Sequence, residues 1–424
     1  MISQFFFLLL LITTSSFVLI LLIKQKSSKA QATRLPPGPW KLPLIGNLHQ
    51  LTGDSPHVSL QKLSNEYGPL MFLQLGSLPT LVISSADVAR DIFRTHDLIF
   101  SGRPELYAAK IFSYNCSNIT FAPYGEYWRE IRKIAILELL GSKRVQSFQA
   151  VRNEEVADMI KIIARSSAEP TDLSGLIFLL ANNIICSVTF GRKYDSGADT
   201  GTTRFDVLMR EMQAVVAESS IADFFPWMGW LDKFNGREAR VMKIFRELDR
   251  FYDEEILQQH LDPRRPKPEH EDLVDVLVRI QKDSSQAVAL SNEQIKSLLT
   301  EALRLHPPAP LLVPRETTED CRVGEYEIPS GTRVLINAKA IATDPEHWEH
   351  PFEFQPERFL NSSIDLKGNN FELIPFGVGR RGCPGMNFAM PLIELALANL
   401  LHRFDWKLPP GMRIEDWIWK KRLG

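Results

Sequence analysis

The chain has 424 residues, of which 44% are hydrophobic and 24% charged, with 27 prolines. That composition can bury a large core and excludes a disordered polymer. Lys and Arg number 49 against 51 Asp and Glu, a net charge of −2; with no basic stripe interleaved with aromatics, nucleic-acid binding is excluded.

Residues 1–34 read as a membrane anchor with a basic flank. Phe5 to Ile23 is uncharged, mostly apolar and long enough to cross a bilayer as one helix. Lys24, Lys26, Lys29 and Arg34 follow, so the positive-inside rule predicts a single-pass protein with its globular part in the cytosol. A cleaved secretory signal is the alternative, with Ala30-Gln31-Ala32 as its cleavage site. Met1–Gln4 carries no side-chain positive charge, however, and the apolar run is long for a signal. Three Asn-x-Ser/Thr sites (Asn115, Asn118, Asn361) would stay unglycosylated in the cytosol. Residues 35–40, Leu35-Pro36-Pro37-Gly38-Pro39-Trp40, form a stiff Pro-rich hinge, and residues 41–424 form the globule.

Within the globule, Leu70–Leu75 and Thr80–Ser84 read as strands around Gly76-Ser77, followed by a helix over Ala86–Arg94. Helical periodicity then covers Tyr127–Leu139, Val145–Ala164, Leu173–Thr189, Arg204–Glu218 and Ala239–Gln259. Asp262–Asp272 is polar and Pro-rich, hence a loop; after Pro307 strands and irregular structure lead to a last apolar helix over Met386–Phe404, kinked at Pro391. The fold class is mainly α with a minor β-sheet region.

Cys116, Cys186, Cys321 and Cys383 are too scattered for a CxxC metal site or a disulfide scaffold, and three of them read as ordinary buried residues. Cys383 differs. It lies in Phe376-Gly377-Val378-Gly379-Arg380-Arg381-Gly382-Cys383-Pro384-Gly385, at the start of the last helix. Four glycines let the backbone approach a bulky group, and the helix N-terminus favours an anionic thiolate. Arg380 and Arg381 add charge that can pair with carboxylates. An enclosed thiolate of this kind is what haem iron takes as its proximal ligand. An inert Cys in a Gly-rich turn and a nucleophilic Cys are the alternatives; the second lacks a convincing His partner.

Phe-x-x-Gly-x-Arg-x-Cys-x-Gly resembles the haem-binding signature of the cytochrome P450 family, and the chain looks like a plant microsomal member. Pro36-Pro37-Gly38-Pro39, Tyr124-Gly125-Glu126-Tyr127-Trp128-Arg129 and Pro356-Glu357-Arg358-Phe359 match as well. The resemblance implies a haem cofactor ligated by Cys383 and cradled by Phe376, Gly379, Arg381 and Gly385. It also implies that Trp128, Arg132, Arg315 and Arg381 hold the haem propionates, and that Glu301, Arg304 and Arg358 form a buried structural ion-pair network. The implied activity is a monooxygenase of the endoplasmic reticulum membrane. It would take O2, electrons from an NADPH-dependent reductase and a small apolar plant metabolite, with substrate contacts in Arg103–Thr120, Phe224–Trp230 and Ala309–Val313.

Two features depart from that pattern. The family's distal helix, with an acidic residue beside a threonine in a small-residue stretch, has no counterpart; Gly197-Ala198-Asp199-Thr200-Gly201 lacks the apolar flanks of a buried helix and reads as a loop. Leu290–Leu299 joins Glu301–Pro308 directly, and Ser291 with Gln294 makes a capping box for one helix over Asn292–Leu305. The final segment, Trp417–Gly424, departs from the family's closing hairpin. A catalytically silent or misfolded membrane-tethered isoform is therefore the alternative function.

Overall fold

The computed structural model describes residues 34–165, 169–192, 204–265, 271–282, 310–352, 363–364, 369–409 and 411. The anchor, the Gly197–Gly201 stretch, the Asn292–Leu305 helix, Pro356–Phe359, Trp417–Gly424 and the residues Glu301, Arg304 and Arg358 lie outside them.

Residues 35–40 form no regular element, and the segment is docked rather than loose. The Phe72 N–H donates to Pro37 O at 2.9 Å, and a Cβ on Gly38 would collide with Phe72 O. The first helix, α1 (Pro56–Tyr67), leads into β1 (Leu70–Leu75) and β2 (Leu78–Ile83), antiparallel around Gly76, whose φ of 63° suits glycine. Helix α2 (Ala86–Thr95) opens where Ser85 Oγ accepts from the Val88 N–H, a side-chain cap for an orphan amide. Later come β3 (Arg315–Glu316), the separate hairpin β4 (Cys321–Val323) with β5 (Tyr326–Ile328), and β6 (Arg333–Ile336). The main sheet runs β1-β2-β6-β3; β6 lies parallel to β2 with Thr80 opposite Arg333, and β3 returns antiparallel. Alternating burial along β1 puts Met71, Leu73 and Leu75 into one apolar cluster and Leu70 into another, so the sheet is covered on both faces.

The helical lobe comprises α3 (Tyr107–Phe112), α4 (Glu126–Ile134), α5 (Gln149–Arg165), α6 (Leu173–Phe190), α7 (Arg204–Ala217), α8 (Arg237–Phe251), α9 (Leu273–Lys282) and α10 (Met386–Arg403). Asp172 caps α6 by accepting from the Gly175 N–H, and Gly191, at φ 68°, ends it. Helix α5 packs against α6 and α10, α8 against α7, and α9 against α6. Among the described residues α6 is the one helix long and apolar enough to cross a membrane, and Leu180, Ile184 and Val188 bury it in this lobe's core.

Within the described residues, predicted and observed helices agree in place and differ at their ends. Helix α4 stops at Ile134 and passes into a wider turn over Ala135–Leu139, and α10 continues through Pro391 without interruption. Cys116 and Cys186 are buried, and Cys321 is partly buried on β4 and packs against the cluster that covers the main sheet. One face of α10 stays open: Ile393, Leu397 and Leu401, spaced one turn apart, are 49%, 52% and 66% exposed.

Candidate functional site

The loop from Phe376 to Gly385 folds back before α10 begins. Gly377 and Gly379 hold φ of 71° and 62°, values that disfavour any Cβ, and a side chain at Gly379 would strike the Asp97 carboxylate. Gly382 N–H donates to Gly379 O at 2.9 Å, and Cys383 N–H donates to Phe376 O at 2.8 Å. These bonds fix the half-buried Cys383 at the loop's closure. The helix starts at Met386, three residues after the cysteine, so the dipole contribution expected from a cysteine in the first turn is reduced. Nearby positive charge comes instead from Arg132 on α4, whose Nη2 donates to Gly382 O at 2.8 Å and whose charge is felt at Cys383.

Two further guanidiniums close over this loop. Arg381 is buried; its Nε donates to Ser101 O at 2.8 Å and its Nη2 to Ala122 O at 2.7 Å, with Nη1 3.5 Å from Ile119 O. Its guanidinium carbon lies 4.3 Å from the centre of the Trp128 ring, and that of Arg132 lies 5.3 Å from the same centre. The Trp128 indole N–H itself donates to Ile119 O at 2.8 Å. Arg315, 2% exposed on β3, lies 4.5 Å over Phe93 and donates from Nη2 to Val378 O at 2.6 Å, inside the loop.

The cluster carries more positive charge than it neutralises. Burial first, and Arg315 and Arg132 second, push Arg381 down to about 9; burial pushes Arg315 down to about 10 against the pull of Asp97. Asp97 lies 3.6 Å from Arg315 Nη1 and also accepts from the Arg380 N–H at 3.0 Å. Among the described residues that Arg315 Nη1, buried and ion-paired with Asp97, has no closer hydrogen-bond partner. An uncompensated buried cation costs several kcal/mol, so this arrangement favours an anionic ligand. Two carboxylates on a flat ligand whose iron accepts a sulfur would meet the excess charge, the unused N–H and Cys383 together. The described residues therefore fit haem.

The structure brings together Trp128, Arg132, Arg315, Phe376, Gly379, Arg381, Cys383 and Gly385 from α4, β3 and the loop before α10. Sequence reasoning missed Asp97, Ser101, Ile119 and Ala122. The last three act through main-chain oxygens, which leave no mark on residue type. Of the stretches expected to touch substrate, Phe224 and Leu311 each pack against the cluster of Met71, Leu73 and Leu75, while Trp227 and Trp230 are exposed.

Comparison with known proteins gives the same picture. The family model for Cytochrome P450 matches residues 36–300 and, as a second stretch, 295–421. Cytochrome P450 71A9 of Glycine max is 50% identical, the match covering 94% of this chain and 92% of that one. Strychnine-11-hydroxylase of Strychnos nux-vomica is 49% identical over 93% of this chain and 89% of its own. A zebra fish cytochrome P450 structure with progesterone shares the fold with a TM-score of 0.66 at 21% identity, covering 83% of this chain and 93% of that chain. The Glycine max alignment spans 464 positions, yet 94% of 424 residues is about 399, so about 65 positions of it have no residue here.

Proposed function

This chain belongs to the cytochrome P450 family, a family of haem-thiolate monooxygenases, and on that premise we propose that it oxidises a small apolar plant metabolite with Cys383 as the iron ligand. The observation that carries the proposal is the cradle of Arg132, Arg315 and Arg381 around the Phe376–Gly385 loop, cationic in excess and holding an unused buried N–H. Arg315, Arg381, Arg132 and Trp128 are the residues to hold the propionates; Arg315 has a donor ready, whereas Trp128 would exchange its bond to Ile119 O. Phe376 and Gly379 shape the loop, and Gly385 caps the helix behind it. Haem, when bound, supplies oxygen activation, with electron density from the thiolate favouring O–O cleavage.

Electrons would come from an NADPH-dependent reductase, and Phe5–Ile23 would anchor the chain in the endoplasmic reticulum membrane with the globule in the cytosol. Glu301, Arg304 and Arg358 would form a buried network whose loss strands a charge. The plant relative whose name specifies strychnine hydroxylation supports a small-molecule substrate. The test is to express the chain, reduce it under carbon monoxide and record the difference spectrum. A thiolate-type Soret band that disappears in Cys383→Ser, with turnover on adding a reductase, supports the proposal; no haem uptake refutes it.

A second reading, a catalytically silent isoform, draws on two observations. The family model matches as two stretches that overlap at residues 295–300, and α10 exposes the Ile393, Leu397 and Leu401 stripe. Losing core on the scale of the roughly 65 absent positions exceeds the few kcal/mol by which domains are stable. Haem uptake without turnover in the same experiment would select this reading.

A further inference from the structure

Helix α3 ends in a way its sequence does not favour. The Tyr114 N–H donates to Ile111 O at 3.1 Å and the Asn115 N–H to Lys110 O at 2.8 Å, the paired bonds of a helix stop whose turning residue is usually glycine. Here that residue is Tyr114, at φ 48°, and the left-handed backbone continues through Asn115 at 61° and Cys116 at 57°. A Cβ disfavours this conformation at each position, so three such residues in a row make a turn that the local sequence alone would not keep.

Contacts from the helical lobe oppose that tendency. Tyr114 reaches α8: its Oη donates to Asp249 Oδ1 at 2.6 Å, and its ring meets Phe245 edge-on with centroids 5.2 Å apart. Phe112, two residues earlier, meets the same Phe245 ring at 6.2 Å. Burial first, and the bond to Asp249 second, push the Tyr114 phenol above its ordinary range, so it stays a donor. A hydrogen bond to a carboxylate is among the stronger kinds, which suits a contact that must hold an unfavourable backbone.

The turn decides where Cys116 goes. Its N–H donates to Ser113 Oγ at 3.0 Å, and its side chain, 7% exposed, packs with Ala109 and Phe121 in a small cluster joined by Leu106 and Val313. Two of the stretches expected to touch substrate, Arg103–Thr120 and Ala309–Val313, therefore meet at this cluster. Relaxing to right-handed backbone would redirect the chain at three successive residues and take Cys116 out of it.

We infer that Asp249, acting through Tyr114, is a positioning residue: the pair is a strut by which α8 holds the left-handed turn and so seats Cys116 against Phe121 and Val313. That this cluster borders the substrate rests on the monooxygenase reading, while the strut itself is a property of the chain alone.

The experiment uses the full-length protein, purified in detergent, as wild type, Tyr114→Phe, Asp249→Asn, Asp249→Ala and the double variant Tyr114→Phe with Asn115→Gly. Tyr67→Phe is the matched control, since it removes another phenol–carboxylate bond, to Glu66 at the end of α1. In haem-free chains the amides of residues 114–117 should lose about tenfold in hydrogen-exchange protection in Tyr114→Phe and Asp249→Ala, the size expected when a bond to a charged group is lost, and stay within about threefold of wild type in Tyr67→Phe. Asp249→Asn keeps an acceptor and should fall between. Asn115 is exposed, so glycine there removes no packing and relieves only the backbone; it should return Tyr114→Phe toward wild type. Haem-loaded samples report on the wall through two iron-binding probes, 4-phenylimidazole and imidazole. The ratio of their dissociation constants should change by about fivefold in Tyr114→Phe and recover in the double variant, because the bulkier probe alone meets the wall. Unchanged protection in Tyr114→Phe would overturn the strut, and an unchanged ratio would overturn the positioning role. If the wild-type chain takes up no haem, the functional reading fails and the exchange comparison alone decides on Asp249.

Discussion

Arg132 and Cys383 are linked through one carbonyl: Arg132 Nη2 donates to Gly382 O at 2.8 Å, immediately before the cysteine. The same contact orients the loop and places a positive charge near the sulfur, which favours the thiolate. Replacing Arg132 with Ala should therefore raise the pH at which Cys383 becomes reactive. At neutral pH its alkylation, followed by mass spectrometry of the Cys383 peptide, should slow by roughly two- to tenfold. Cys116 supplies an internal reference, since burial already pushes its thiol up. An unchanged Cys383 rate would show that Arg132 acts on the loop by geometry alone.

A second prediction concerns acid stability. Asp232 is 1% exposed, and burial alone would raise its pKa. Hydrogen bonds from Ser220, the Ala222 N–H, Asn235 and the Ile221 N–H outweigh that effect and hold it below its ordinary value of 3.8. The unfolded chain thus takes up a proton on this group at a higher pH than the folded chain does. Its contribution is complete above pH 3.8 and is lost as pH falls through the lower folded value. Asp232→Asn should cost about 1–3 kcal/mol at neutral pH and flatten the acid limb of denaturant midpoints measured against pH. A mutant whose acid limb runs parallel to wild type would contradict this.

Much of this site could be read from residue types. The signature around Cys383 required glycines where the backbone turns left-handed, and Gly377 and Gly379 do so. Trp128 and Arg132, one turn apart, share a helix face and both reach the cradle. Helix positions followed from period, yet α4 ends at Ile134 because the chain widens into a different turn, a choice made by packing rather than propensity. Invisible in the sequence were Asp97, on the turn after α2, and the carbonyls of Ser101, Ile119 and Ala122. Every residue carries a carbonyl, so only the folded chain shows which of them meet a guanidinium. The docking of the Pro37 carbonyl on Phe72 escaped for the same reason.

Gly102 tests how closely the loop after α2 packs on β3. Its φ of −60° is open to any residue, so backbone strain does not explain a glycine there. Space does, because an added Cβ would run into the main-chain oxygen of Glu316, which a side-chain rotation cannot move. Gly102→Ala should thus destabilise the chain by about 1–3 kcal/mol, the range for overpacking, despite alanine's lower unfolded-state entropy. Urea midpoints give the size, and hydrogen exchange should locate the damage at Gly102 and Glu316 rather than in the helical lobe. A neutral result would mean that the β3 end moves away without cost.

The exposed stripe on α10 makes a prediction that depends on context. Leu397 is 52% exposed, so Leu397→Lys should change stability by no more than about 0.5 kcal/mol in this chain. If the roughly 65 positions present in the Glycine max relative pack on that face, inserting them near residue 300 should bury the stripe. The same substitution would then place an unpaired ammonium in an apolar contact and cost about 3 kcal/mol or more. Thermal unfolding of the four proteins, with and without the insertion and with Leu or Lys at 397, separates the cases. A large loss in the uninserted chain would show that α10 is already covered, removing one of the two supports for a silent isoform. A small loss in both backgrounds would place the missing segment somewhere other than against α10.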